Sequence, residues 1–145
     1  MGAGGVILPT ERQVQRGILK MLGACFPSVF VTAIPNGAHL AGNATARFKQ
    51  MGAMKGDGLK VGFPDLLILW SPGKGCCIET KRPKLGRLSD PQKAVHERLR
   101  QVQWPVATIS SIDDAYMFLR SLGAPWNEVD PRINPVADEY HPRWP

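Results

Sequence analysis

Apolar residues between positions 10 and 22 recur at helical spacing and predict an amphipathic first helix. The helix is expected to run from Thr10 to Leu22 and to stop at Gly23. Thr10 and Gln13 have the spacing of a capping box at its start. The residues predicted to form the buried stripe are Val14, Ile18, Met21 and Leu22.

Four short apolar runs have the length and composition of buried strands. They are Phe30 to Ile34, Leu66 to Trp70, Cys76 to Thr80 and Pro105 to Ile109. Turn-forming residues from Ser71 to Gly75 separate the second run from the third, which predicts an antiparallel hairpin. The 27 positions between the first two strands, Asn36 to Gly62, are rich in glycine and predict a long loop.

Two further helices complete the predicted fold. One runs from about Asp90 to Gln103, and the other follows the cap Ser111 and ends at Gly123. The first of them is expected to bury Val95, Leu99 and Val102. The fold class is therefore α/β in the order α-β-β-β-α-β-α, a mixed sheet flanked by helices with a crossover helix before the fourth strand.

The predicted hairpin places three charged residues on one face of the sheet. If its loop is symmetric about Gly73, Asp65 lies opposite Lys81 and Leu67 lies opposite Glu79. Because strand side chains alternate faces, Asp65, Glu79 and Lys81 then lie roughly 5–8 Å apart on the same face. Two carboxylates at that distance hold one hard cation, with an ammonium beside it. These residues alone are equally consistent with an ordinary solvated hairpin pair.

A longer string around these residues resembles a known family. GFPDLLIL from Gly62, IETKRPKLGRLSDPQ from Ile78 to Gln92, and PVATISSIDDAYMFL from Pro105 resemble the VRR-NUC domain of the PD-(D/E)xK nuclease superfamily. The resemblance extends from about Thr10 to Leu122 and is greatest to the small standalone members carried by bacteriophages. It implies a restriction-endonuclease-like core and metal-dependent cleavage of DNA, selective for branched structures such as Holliday junctions.

The resemblance and the chemistry of phosphodiester cleavage together suggest a role for each residue of the site. Asp65 and Glu79 would bind Mg²⁺, for which Mn²⁺ would substitute, with the backbone carbonyl of Thr80 as a third oxygen. Lys81 would orient the attacking water or help to deprotonate it. Gln92 matches a glutamine at the start of the helix that follows Glu-x-Lys in the family.

Two of these positions have a second interpretation. Glu11 lies on the core-facing side of the first helix, where it is either a first-turn acid favoured by the helix dipole or a further metal ligand. Gln92 also completes a capping box with Ser89, so it would cap the helix in the free protein and contact a phosphate or water in the complex.

Charge and composition agree with a DNA-binding protein. The 145 residues carry a net charge of +6 with a pI near 9.6, which suits a polyanionic partner. The candidate DNA-contacting residues are Asn36, Arg47, Lys49, Lys55 and Lys60. Asn36 is alternatively only a turn residue of its Asn-Gly pair.

The cysteines, histidines and apolar runs limit the other classes of protein. Three cysteines do not form a disulfide framework and indicate a reducing compartment. The histidines have no metal-ligand spacing, which argues against zinc, and His96 is expected to be exposed or half-buried. No membrane-spanning run and no signal peptide are seen, so we expect a cytoplasmic protein of a bacterial cell or phage-infected host.

The chain is expected to consist of a nuclease domain, residues 1–123, and a tail, residues 124–145. Because the tail contains Trp126, Tyr140 and Trp144, we expect an extended arm packed on the domain or on a second copy. The two-fold symmetry of junction DNA favours a homodimer. The alternatives are a restriction-type or replication-associated nuclease of the same superfamily, and a non-catalytic DNA-binding or scaffold protein with this fold.

Overall fold

The computed structural model describes residues 5–35 and 40–127, which form four helices and four strands. In chain order these are α1 Glu11–Cys25, β1 Phe30–Ala33, α2 Ala44–Gly56, β2 Leu66–Trp70, β3 Lys74–Thr80, α3 Asp90–Gln101, β4 Val106–Ile109 and α4 Ile112–Ser121. The predicted order is confirmed except for α2, which is an additional helix.

One mixed sheet in the order β1-β2-β3-β4 organises the domain. The first three strands are antiparallel, and β4 joins β3 in parallel after the crossover through α3. The strand β3 lies inside the sheet, and each of its residues after Lys74 is buried. The α/β class and the mixed sheet flanked by helices are therefore confirmed.

The register of the β2–β3 hairpin differs from the predicted one by two residues. Trp70 pairs with Lys74 and Leu67 pairs with Cys77, whereas the prediction placed Leu67 opposite Glu79 and Asp65 opposite Lys81. The turn is shorter than assumed, because β3 begins at Lys74. A shift of two residues preserves the face to which every side chain points, so the predicted shared face survives the correction.

The core lies between α1, α4 and one face of the sheet. The predicted stripe of α1 is buried throughout, and the Thr10–Gln13 capping box is present. The prediction that Gly23 stops the helix is wrong, since α1 continues to Cys25. A glycine inside a helix reduces stability by about 1 kcal/mol relative to alanine. The burial of Cys25 and Phe26, two and three residues after Gly23, offsets this loss.

The helix α3 buries a different residue from those predicted. It ends at Gln101 instead of Gln103, Val95 and Leu99 are only half-buried, and the side chain of Val102 is 60% exposed. Its one buried residue is His96. The apolar periodicity therefore indicated the helix correctly but not the face that packs on the sheet.

The helix α2 corrects the prediction of a long loop between the first two strands. Asn43 caps it by accepting a hydrogen bond from Ala46 N at 2.9 Å. None of its residues is buried. The sequence of a helix that packs no face against the core has no apolar stripe from which to predict it.

The start of the tail packs against the domain. Ala124 is buried, the guanidinium of Arg120 lies 3.5 Å from the ring centroid of Trp126, and Asn127 N donates to Cys25 O at 2.9 Å. Tyr140 and Trp144 lie outside the described residues.

All three cysteines are free and buried, as expected for a protein without disulfides. Burial, with a smaller contribution from Cys77, raises the pKa of the Cys76 thiol to about 12.

Within residues 5–35 and 40–127, no helix is long and apolar enough to cross a membrane.

Gly62 makes the close approach that positions the start of α3. Its φ is +88°, and a Cβ there would lie 2.5 Å from the carbonyl carbon of Pro91 and 2.6 Å from the nitrogen of Gln92. Both neighbours are backbone atoms, which a rotamer change cannot move. Any side chain at this position must therefore displace the first turn of α3.

We predict that Gly62→Ala lowers the free energy of unfolding by about 3 kcal/mol, because a backbone clash adds to the strain of a positive φ. Gly58→Ala is the matched control, since Gly58 has φ +105° and open space around its Cβ position. It should cost about 1 kcal/mol. Equal losses in urea denaturation would contradict the close approach at Gly62.

Candidate metal centre and active site

Three carboxylates from separate elements lie close together at one end of the strands, where β2 begins and β3 ends. Glu11 comes from the first turn of α1, Asp65 directly precedes β2, and Glu79 is in β3. Each offers an oxygen, and these oxygens all lie within 4.8 Å of one another. Oxygens bound to one Mg²⁺ at 2.0–2.1 Å are at most about 4.2 Å apart. Small side-chain movements would therefore bring the three onto one ion.

Glu79 has the most perturbed environment of the three. It is fully buried, and burial, together with the nearby charge of Asp65, raises its pKa to about 8. Lys81 Nζ lies 3.4 Å from its Oε1 and partly opposes this shift. A carboxylate held so far above its ordinary pKa gains from a cation beside it.

Asp65 is held by the backbone of β3. Its Oδ2 accepts hydrogen bonds from Thr80 N at 2.8 Å and from Thr80 Oγ1 at 2.7 Å. Its own carbonyl accepts from Ile34 N at 2.7 Å, which ties the end of β1 to the same point. The carboxylate is therefore anchored through one oxygen. The proposed ligation by the Thr80 carbonyl stays a prediction.

Lys81 directly follows β3 and lies among the carboxylates. Its side chain is 9% exposed, and its Nζ is 3.8 Å from Glu11 Oε1 as well as near Glu79. Its backbone N donates to Ile109 O at 2.8 Å, which extends the β3–β4 ladder and fixes the residue. The predicted grouping of Asp65, Glu79 and Lys81 is thus present in the structure.

Gln92 forms the predicted capping box and also contacts Glu79, while its predicted contact with a phosphate or water stays a prediction. Its Oε1 accepts from Ser89 N at 2.9 Å as part of the capping box of α3. Its Nε2 donates to Glu79 Oε1 at 2.7 Å. One side chain therefore caps the helix with its oxygen and contacts the buried carboxylate with its amide nitrogen.

Glu11 lies in the first turn of α1 and also near the other two carboxylates, while its role as a metal ligand stays a prediction. It is the acid of the first turn of α1, and its carboxylate belongs to the cluster with a side chain 46% exposed. Because Glu11 is partly exposed, solvent reaches the cluster from its side.

His96 is a site residue that the sequence did not reveal, and the prediction that it is exposed or half-buried is wrong. It is 0% exposed, and its Nε2 lies 3.7 Å from Glu79 Oε2. The available signal was its position four residues after Gln92, which places both on one helix face. Burial and then the charges of Arg100 and Lys81 lower its pKa.

None of the predicted DNA-contacting residues that the structure describes belongs to the group of three carboxylates. Arg47, Lys49 and Lys55 are exposed on α2, and Lys60 is exposed in the segment before β2. Asn36 lies outside the described residues. Among the hydrogen bonds and ion pairs of the described part of the chain, none joins these basic residues to the three carboxylates.

The raised pKa of Glu79 predicts how stability depends on pH. Between the ordinary glutamate pKa and about 8, the folded protein binds more protons at Glu79 than the unfolded chain does. The free energy of unfolding therefore falls as pH rises through this window. We expect metal-free Glu79→Gln to melt roughly 5 °C or more above wild type near pH 8, and close to wild type near pH 4. Thermal unfolding in EDTA measures this, and an offset independent of pH would contradict it.

Comparison with known proteins agrees with this site. The model of the VRR-NUC domain matches residues 29–112, more than half of the chain, from just before β1 to the first residue of α4. The match includes Asp65, Glu79, Lys81 and Gln92, whereas Glu11 precedes it. No curated protein and no solved structure matches the chain. The match confirms the resemblance to the VRR-NUC domain and implies a divalent metal, while the greater likeness to phage-carried members stays a prediction. The chain belongs to the VRR-NUC domain family of nucleases, within the PD-(D/E)xK superfamily.

Proposed function

We propose that the protein is a metal-dependent DNA endonuclease that hydrolyses phosphodiester bonds, preferentially in branched DNA such as Holliday junctions. The observation that carries this proposal is the group of three carboxylate oxygens within 4.8 Å of one another, with Lys81 Nζ 3.4 Å from Glu79. Such a group binds a cation and leaves a cationic side chain beside it for a phosphate or water.

The donor set fits Mg²⁺, with Mn²⁺ as a substitute. All three side-chain donors are carboxylate oxygens, which these ions prefer, and the cluster contains no thiolate or imidazole. Glu11, Asp65 and Glu79 would hold the ion, with the Thr80 carbonyl as a further oxygen. When bound, it would supply stabilisation of the negative charge that develops on the scissile phosphate.

The protein side chains would prepare the attacking water. The ammonium of Lys81 lies beside Glu11 and Glu79, where it would orient a water and offset charge on the phosphate. Gln92 donates to Glu79 through its amide nitrogen and would hold that carboxylate in place. Glu11 is the most exposed of the three carboxylates, so the DNA backbone would approach the cluster from its side.

The basic residues of α2 are well placed to bind the DNA backbone. The connection that contains α2 leaves β1 at Ile34 and returns at Asp65, and these two residues are hydrogen-bonded. The two ends of the connection therefore meet beside Asp65, and the exposed charges of α2, Arg47, Lys49 and Lys55, suit contacts to phosphates. Lys60 is also exposed, in the segment before β2.

A groove beside α3 supports the preference for branched DNA. Its volume is about 330 Å³, large enough for a nucleobase. Lys60 and Arg98 are the basic residues at its sides, and Pro91 at one end adjoins Gln92. The apolar lining residues include Val61, Phe63, Val95 and Leu99. An apolar groove with cationic sides suits an unpaired base with its phosphates, as found in the single-stranded part of flapped DNA.

We further propose a homodimer, because residues 5–35 and 40–127 carry one such carboxylate cluster and paired incisions across a junction need two. The edge strand β1 is available for such contact, with Phe30 68% exposed. Sedimentation of the full chain should then give about twice 15.9 kDa.

A non-catalytic scaffold with this fold is the competing interpretation. Burying Glu79 and Lys81 costs free energy that a scaffold would avoid by carrying apolar residues at these positions. A restriction-type nuclease is the other alternative, and a strong preference for one duplex sequence over junctions would favour it.

We predict that Asp65→Asn and Lys81→Met each reduce DNA cleavage by at least about 100-fold, for different reasons. Asp65→Asn removes an anionic ligand while keeping an acceptor for Thr80 N, so it should also weaken Mn²⁺ binding. Lys81→Met should still bind Mn²⁺, because it removes no ligand. Gel assays of cleavage and titration with Mn²⁺ separate the two effects.

Lys74→Met is the matched control, since Lys74 is an exposed lysine at the other end of the same strand. It should cleave at the wild-type rate. Near wild-type cleavage by the Asp65 or Lys81 variant would rule out this site as the catalytic centre.

We predict that Lys49→Glu/Lys55→Glu weakens DNA binding in Ca²⁺ by about 10-fold or more, and reduces its salt dependence, because two phosphate contacts are lost. Lys20→Glu/Lys74→Glu changes the net charge equally at exposed sites on α1 and β3. Binding should be compared on four-way junction, flapped and linear DNA. Equal losses in the two variants would show that only net charge matters.

A further inference from the structure

Two buried polar groups next to the carboxylate cluster face each other without a hydrogen-bond partner. Glu79 Oε2 and both ring nitrogens of His96 have none, although each of these atoms is shielded from solvent. His96 Nε2 lies 3.7 Å from Glu79 Oε2. The other oxygen of Glu79 is already occupied by Gln92 and Lys81.

The energetics favour closing this gap. A buried polar atom without a partner costs about 1–3 kcal/mol, and here a donor and an acceptor can relieve each other. A shift of less than 1 Å brings 3.7 Å into hydrogen-bond range. No alternative partner is present for either atom among the described residues.

The protonation of His96 determines which atom donates. A neutral imidazole carries one N–H, and a hydrogen on Nε2 points it at Glu79. The charged groups that face the ring are Arg100 on the same helix and Lys81 after β3, which oppose a positive charge, and Asp65 before β2, which favours one. Burial is the largest effect, and together these groups lower the pKa of His96.

We propose that His96 is a positioning residue, which donates from Nε2 to Glu79 Oε2 and so directs Glu79 Oε1 toward the metal site. The inference rests on the proposed function, because it assumes that Glu79 is a metal ligand. Gln92 and His96 are four residues apart on α3 and would hold one carboxylate oxygen each. Groups that orient a metal ligand in this way commonly change metal affinity by 10–100-fold when removed.

The test compares two substitutions of similar size at position 96. His96→Gln retains an N–H donor at about the reach of Nε2, whereas His96→Met fills the space without one. Binding of Mn²⁺ alone, followed by the electron paramagnetic resonance signal of the free ion, should weaken about 10-fold or more in His96→Met. It should remain within about 3-fold of wild type in His96→Gln.

Thermal unfolding of both metal-free variants separates positioning from packing. Similar melting temperatures with a difference in Mn²⁺ affinity support the proposal. Wild-type affinity in His96→Met, or equal loss in both variants, would overturn it.

A measurement on the unmodified protein covers the case in which His96→Met does not fold. With Mg²⁺ bound, so that Glu79 is ionised and can only accept, long-range ¹⁵N–¹H NMR of the His96 ring should show a hydrogen on Nε2. A ring that carries its hydrogen on Nδ1 alone would contradict the proposal. A wild-type protein that binds Mn²⁺ but cleaves no DNA would instead contradict the proposed function and leave the His96 result standing.

Discussion

The burial of a carboxylate inside the sheet is the constraint around which this domain is arranged. Glu79 lies in β3, between β2 and β4, and has no exposed surface. An isolated charge at such a position is very unfavourable. Two neighbouring groups offset part of the free-energy cost of burying this charge. Gln92 of α3 donates a hydrogen bond to Glu79, and Lys81, which follows β3, brings its ammonium within 3.4 Å. Compensation is incomplete, which is why the pKa of Glu79 remains near 8.

Residues that begin helices also build the site. The first turn of α1 follows the Thr10 cap and carries Glu11, while Gln92 both caps α3 and contacts Glu79. Helix initiation and assembly of the carboxylate cluster therefore depend on the same side chains. Separating a folding role from a functional role at these positions is not possible from residue type alone.

Apolar periodicity and turn-forming residues predicted the order of the elements apart from α2, and the resemblance predicted the family. The error in the predicted hairpin register does not change which residues share a face, because a shift of two residues keeps Asp65 and Glu79 on one face. What failed depends on tertiary packing. The helix α2 has no buried residue and hence no apolar pattern to detect. His96 is polar, and only the fold brings it within 3.7 Å of Glu79.

The two adjacent thiols on the strand of Glu79 make that strand observable. Cys76 and Cys77 are free and buried in β3, three and two positions before Glu79, and the raised pKa of both suppresses the thiolate form. Alkylating reagents therefore reach them only when the strand opens to solvent. The rate at which these two cysteines are alkylated in a native sample, distinguished by peptide mass spectrometry from the alkylation of Cys25 in α1, reports how often β3 leaves the sheet.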